Sequence, residues 1–125
     1  MNPFKKPKGP LTLKEYQEFC TTTALYPSTQ IDGQDTMVPV YPAMLLASEA
    51  GEVLGKLQKC IRDKQGRVDQ LDLEGVMYEC GDVMWALAAL CTDLGIGLDD
   101  VVAWNVRKLQ DRKDRDKLRG SGDDR

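Results

Sequence analysis

Glu49-Ala50-Gly51-Glu52-Val53 and Glu79-Cys80-Gly81-Asp82-Val83 repeat one five-residue pattern, each inside a stretch of helical hydrophobic period. Both put two carboxylates at i and i+3, a spacing that stacks the side chains on one face of an α-helix. Like charges so placed repel, at roughly 0.2–0.5 kcal/mol per pair on a solvated helix, and neither helix propensity nor packing accounts for the arrangement. A compensating cation does. If the two helices pack side by side, four carboxylates converge, and the natural guest is a hard divalent ion that prefers oxygen ligands, such as Mg2+. Gly51 and Gly81 stand mid-helix at matched places, where glycine costs about 1 kcal/mol relative to alanine. They suggest close approach by a helix or a ligand.

The helix that holds the first pattern begins near Pro42, a good first-turn residue. It carries an apolar stripe of Leu46, Ala50, Val53, Leu57 and Cys60 beside a polar stripe of Glu49, Glu52, Lys56, Lys59 and Asp63. After a turn at Gly66, the helix with the second pattern starts around Leu71 and directs Val76, Cys80, Val83, Leu87 and Leu90 or Cys91 towards a core. Its carboxylate face reads Gly75, Glu79, Asp82 and Ala86. Leu94-Gly95-Ile96-Gly97 ends it with the glycines a helix terminus favours, and Leu98-Asp99-Asp100 opens a further helix with acidic residues at its positive end. Upstream, Thr12 with Glu15 three residues on has the capping-box arrangement. It opens a first helix running to about Leu25, stopped by Tyr26-Pro27. Residues 28–39 are polar and read as a loop long enough to be functional or mobile. No segment shows strand alternation, so the expected fold is an all-α four-helix bundle with mostly short connections. The expected organisation is an N-terminal arm over 1–12, a helical domain over 13–117 and a disordered tail over 118–125.

At 125 residues the chain suits one domain with one core. Its net charge of −3, from 17 basic and 20 acidic residues spread along the chain, leaves no basic footprint for a nucleic-acid polymer. Cys20, Cys60, Cys80 and Cys91 form no CxxC pair, and three fall on apolar helical faces; they read as reduced small hydrophobes in a cytoplasmic protein. No apolar run reaches the roughly 18–20 residues that span a bilayer, and the opening Met1-Asn2-Pro3-Phe4-Lys5-Lys6 leads into polar sequence rather than a signal peptide. Histidine is absent. That removes Ser-His-Asp and Cys-His triads, histidine-based zinc sites and the Glu-x-x-His di-iron bundle, leaving carboxylates as metal ligands.

Glu49-x-x-Glu52, then Glu79-x-x-Asp82, then Asn105-x-x-Lys108-Leu109-x-x-Arg112, in this order, resembles the MazG-like branch of the all-α nucleoside triphosphate pyrophosphohydrolases, which includes dimeric dUTPases and dCTP pyrophosphatases. Tyr41-Pro42-Ala43 leading into Ser48-Glu49-Ala50-Gly51-Glu52-Val53 is similar to the short single-domain MazG-like proteins of phages and bacteria. Glu15-Tyr16-Gln17 and Ala24-Leu25-Tyr26-Pro27 resemble that group's first helix. The resemblance covers about residues 13–115.

It implies cleavage of a nucleoside triphosphate between the α and β phosphates, with Mg2+, or Mn2+ in its place, held by Glu49, Glu52, Glu79 and Asp82. Because a polyanionic substrate cannot lie directly on four carboxylates, a cation between them fits the chemistry. Glu52 is the chosen residue for orienting or deprotonating water. Lys108 and Arg112, at i and i+4, are assigned to the β and γ phosphates, Asn105 to sugar or phosphate, and Lys56 and Lys59 to further phosphate contacts. Lys56 has a plainer reading as the i+4 ion-pair partner of Glu52, and Lys108 and Arg112 as solvated surface. Trp85, Tyr16 and Phe19 read better as core than as base-stacking residues. The resemblance further implies a homodimer or homotetramer, with helices two and three packed across a two-fold axis. A non-catalytic helical regulatory module and a divalent-ion binder without nucleotide chemistry are the competing classes.

Overall fold

The structure, a computed structural model, describes residues 11–26 and 40–122. Among these residues four helices, α1 (Leu13–Thr21), α2 (Val40–Lys64), α3 (Leu73–Asp93) and α4 (Leu98–Asp114), follow one another, with a 3-10 turn at Val68–Gln70 between α2 and α3. Among the described residues there is no strand, so the architecture is the all-α bundle, and no helix is long and apolar enough to cross a membrane. The expected loop over 28–39, most of the N-terminal arm and residues 123–125 lie outside the described residues.

A hairpin of α2 and α3 forms the largest packed pair. The stripe that α2 buries or half-buries runs Pro42, Leu46, Glu49, Val53, Lys56 and Cys60, spaced alternately by four and three. This corrects the stripe expected from hydrophobicity: Ala50 and Leu57 are exposed, whereas Glu49 and Lys56 turn inward. The opposite face of α3 explains the choice. Gly75, Ala86 and Ala89 are buried there and Glu79 is half-buried, so the surface is small and polar enough to receive long charged side chains. Cys80, expected in the core, is exposed, while Cys20, Cys60 and Cys91 are buried and all four are free thiols.

On its other side α3 meets α1 and the start of α4. Cys20, Ala88, Cys91 and Leu98 are buried together, with Leu13, Tyr16, Trp85 and Val101 packed around them. α1 begins in the expected capping box: the Glu15 backbone N–H donates to Thr12 Oγ1 at 3.1 Å and the Thr12 N–H to Glu15 Oε2 at 2.8 Å. It ends at Thr21, four residues before Leu25. Thr21, Thr22 and Thr23 each turn a hydroxyl onto the carbonyl three residues back, at 2.7, 2.7 and 3.1 Å, and this competition with the backbone ladder closes the helix.

The α3–α4 corner needs one left-handed residue, supplied by Gly95 at φ +68°. Ile96 N–H reaches the Cys91 carbonyl at 2.8 Å and Gly95 N–H that of Thr92 at 3.0 Å, the Schellman pattern. Gly97 gives α4 no side-chain cap. Gln17 of α1 substitutes: its Oε1 accepts from Leu98 N–H at 2.7 Å, and its Nε2 donates to the Ile96 carbonyl at 2.9 Å. One α1 side chain thereby satisfies an orphan group at the head of α4 and seats α4 against α1.

Candidate metal centre

Facing stripes of α2 and α3 bring Glu49, Glu79 and Asp82 together, each offering a carboxylate oxygen within 4.8 Å of the others. Glu49 and Glu79 are half-buried and Asp82 is exposed. Burial first, then the charges of Asp82, Glu79 and Glu52, push the Glu49 carboxyl above its ordinary value of 4.5, the signature of negative charge gathered without sufficient compensation. Opposite oxygens of an octahedral Mg2+ lie about 4.2 Å apart and adjacent ones about 3 Å, so the three oxygens can converge on one such ion with small rotamer changes. An all-oxygen donor set is right for Mg2+ or Mn2+ and wrong for a thiophilic metal. The residues fit the group.

Glu52, expected as a fourth ligand, is exposed and stands outside the convergent trio, although its charge acts on Glu49. Lys56 does not pair with Glu52 as the plainer reading has it. Its Nζ lies 3.1 Å from Asp72 Oδ2 and 3.7 Å from Glu79 Oε1. Asp72 is the N-cap of α3, its Oδ1 accepting from Gly75 N–H at 2.9 Å, and this bond, followed by the Lys56 contact, holds its carboxyl below the ordinary 3.8. Lys59 is exposed.

Among the glycines of α2 and α3, close approach occurs at Gly75. A Cβ there would fall 2.6 Å from Lys56 Nζ and still nearer the Asp72 carboxylate. At Gly51 and Gly81 an added Cβ meets nothing within 4 Å among the described residues.

Asn105 and Lys108 lie in an open groove on α4, lined also by Ile96, Asp100, Trp104 and Arg107, to which no carboxylate of the trio contributes. The Arg107 guanidinium sits 5.3 Å from the centre of the Trp104 ring. Arg112 is buried, at 5% exposure. The chain thus brings the acidic trio and Lys56 together and sets the Asn105/Lys108 face apart from them.

Asp72 was absent from the sequence reading, although an aspartate just before a helical run signals an N-cap. So was an aromatic cluster joining Tyr26 to α2 and α3. Tyr26 stacks on Tyr41 with centroids 4.9 Å apart and meets Trp85 edge-on at 6.4 Å. Its hydroxyl donates to Asp93 at 2.8 Å, and Trp85 Nε1 donates to Thr23 Oγ1 at 2.8 Å. Trp85 and Tyr16 pack against the core, as expected, whereas Phe19 is exposed.

Fold and site together define an all-α hairpin protein with an acidic, oxygen-only centre. The MazG nucleotide pyrophosphohydrolase domain matches residues 42–115, which include all of that centre. Gene 37 protein of Mycobacterium phage L5 is 40% identical over 114 residues, 88% of this chain and 96% of that protein. No solved structure matches. The chain belongs to the MazG nucleotide pyrophosphohydrolase family.

Proposed function

We propose that the protein hydrolyses nucleoside triphosphates between the α and β phosphates, releasing the nucleoside monophosphate and pyrophosphate. The observation that carries this reading is the convergence of Glu49, Glu79 and Asp82 inside the segment that matches the family. Bound by these three, Mg2+ (or Mn2+) would supply the positive charge that neutralises the triphosphate and polarises its α-phosphorus. Water adds to that phosphorus as the bond to the bridging oxygen breaks, and the electron pair leaves on pyrophosphate.

Glu52, one helical turn from Glu49 and exposed, has a free carboxylate to orient the attacking water and take its proton. Exposed Lys108 and Asn105 are the proposed contacts for the outer phosphates and the sugar, with Lys59 as a further phosphate contact. Arg112 is buried in the chain and Lys56 is engaged by Asp72 and Glu79; neither is placed on the substrate. The separation of the α4 groove from the trio is met by assembly. A homodimer or homotetramer, covering exposed apolar side chains such as Met44, Leu54 and Ile61 of α2, would let α4 of one copy face the trio of another. A triphosphate pool also places the protein in the cytoplasm. Incubating the protein with canonical and modified nucleoside triphosphates and Mg2+, and measuring pyrophosphate release, tests the reading; no release from any of them overturns it.

A further inference from the structure

Lys56 forms an ion pair with the carboxylate trio, and its position is built rather than accidental. Its side chain belongs to the α2 stripe that faces α3 and is only 26% exposed, and the Glu79 side chain it approaches is 20% exposed. The Asp72 carboxylate fixes it from the other side at 3.1 Å while itself capping α3 through Gly75 N–H. The missing side chain at Gly75 provides the room, because a Cβ there would collide with both the ammonium and the carboxylate. Four residues from two helices therefore hold one positive charge 3.7 Å from an oxygen of Glu79, a member of the trio.

We propose that Lys56 is a resident counter-cation of the acidic centre: it neutralises Glu79 while the centre lacks a divalent ion and competes with that ion, setting the concentration at which the centre fills. The inference rests on the reading of the trio as a cation site. An ammonium paired with a ligand carboxylate lowers the charge that carboxylate offers a metal, and it repels a dication bound a few ångströms away. In a partly shielded site this repulsion is not fully screened. The lysine thus steadies the empty protein and raises the threshold for filling, a positioning and tuning role distinct from contact with substrate.

Mn2+ binding to the full chain without nucleotide, followed through the electron paramagnetic resonance signal of free Mn2+, tests this with no reliance on turnover. Lys56→Met keeps the length of the side chain and removes the charge, while the Asp72–Gly75 cap remains to support α3. Its Mn2+ dissociation constant should fall by roughly threefold to tenfold, and its melting temperature in chelator should drop. Lys56→Arg retains the charge and should stay within about twofold of the parent. Asp72→Asn preserves the cap acceptor but leaves the ammonium to Glu79 alone, so Mn2+ should bind less tightly, and this loss should shrink in the Lys56→Met background. Unchanged or weaker Mn2+ binding in Lys56→Met, with a parent that binds Mn2+, overturns the inference and leaves the proposed hydrolysis standing. A parent that binds no Mn2+ overturns the cation site and this inference with it.

Discussion

Glu49 is half-buried and faces the charges of the other carboxylates of the centre. Its carboxyl is held above the ordinary value by burial and by the charges of Asp82, Glu79 and Glu52, so its ionised form destabilises the empty protein and favours a bound cation. Glu49→Gln removes the charge and keeps the shape. In chelator at pH 7 this variant should melt a few degrees above the parent, yet lose most of the rise in melting temperature that Mg2+ gives the parent by linkage; a lower melting temperature in chelator would contradict this account. Glu52→Gln should behave otherwise, keeping the Mg2+-dependent rise while turnover falls by about 100-fold or more. That contrast separates ligand from base. Glu49, Glu79 and Asp82 were legible because i, i+3 carboxylates on two neighbouring helices meet when the helices pair. The outward turn of Glu52 was not, since three residues advance a helix about 60° short of a full turn. When Glu49 faces α3, Glu52 is carried towards solvent, and only the rotation of α2 against its partner decides which of the two is central.

At the scale of elements, the two ends of α1 teach different lessons. Its start was legible from Thr12 and Glu15, since a capping box is local chemistry. Its end was not, because three successive threonines choose between the helix ladder and their own back-bonds according to context. The backbone N–H and then the side chain of Thr12 hold the Glu15 carboxyl below its ordinary 4.5. A depressed carboxyl contributes stability at pH values above the unfolded value and loses it as the pH falls through the folded one. Glu15→Gln should therefore melt below the parent at pH 7, with the difference shrinking as the pH falls below the unfolded value of 4.5 and through the folded one; a difference that grows in acid would contradict the capping role. Thr12→Ala should cost about 1 kcal/mol.

The glycines of α2 and α3 separate in the same way. Gly51→Ala and Gly81→Ala meet open space and should stabilise the isolated fold by about 0.5–1 kcal/mol through helix propensity. Gly75→Ala must push aside the ends of the Lys56 and Asp72 side chains, and loss of the Asp72 cap, about 1 kcal/mol, should cancel the gain in helix propensity. Denaturant melts of the three variants check the ordering, and equal effects would remove the structural role given to Gly75. Sequence alone marked Gly51 and Gly81 by their symmetry and placed Gly75 on the carboxylate face, whereas the crowding at Gly75 depends on the partner helix. The α2 stripe was misread for the same reason. Hydrophobicity selected Ala50 and Leu57, but the small polar face of α3 accepts Glu49 and Lys56.

For the whole molecule, the all-α bundle was plain from helical period and turn residues, since neither depends on distant contacts. The placement of α4 was less so: it lies on α1 through Gln17, a tie between residues 81 apart that no local pattern announces. Apolar side chains on the outer faces stay exposed in the single chain, among them Met44 at 69%, Leu54 at 65%, Ile61 at 67% and Val106 at 60%, and contact between copies would cover them. Light scattering should give two or four times the 14.0 kDa of one chain, and Leu54→Glu with Ile61→Glu should shift the mass towards one copy and reduce turnover. A fully active monomer would refute the shared-site arrangement.

The most direct test of the central claim is to identify the products formed from one accepted triphosphate, by phosphorus NMR, with parent protein in Mg2+, parent in excess chelator, and Asp82→Asn in Mg2+. The account predicts nucleoside monophosphate and pyrophosphate in equal amounts from the parent with Mg2+, no turnover in chelator, and turnover lowered by about 100-fold or more in Asp82→Asn. Diphosphate and orthophosphate as products, or monophosphate formed at the same rate in chelator or by Asp82→Asn, would contradict it.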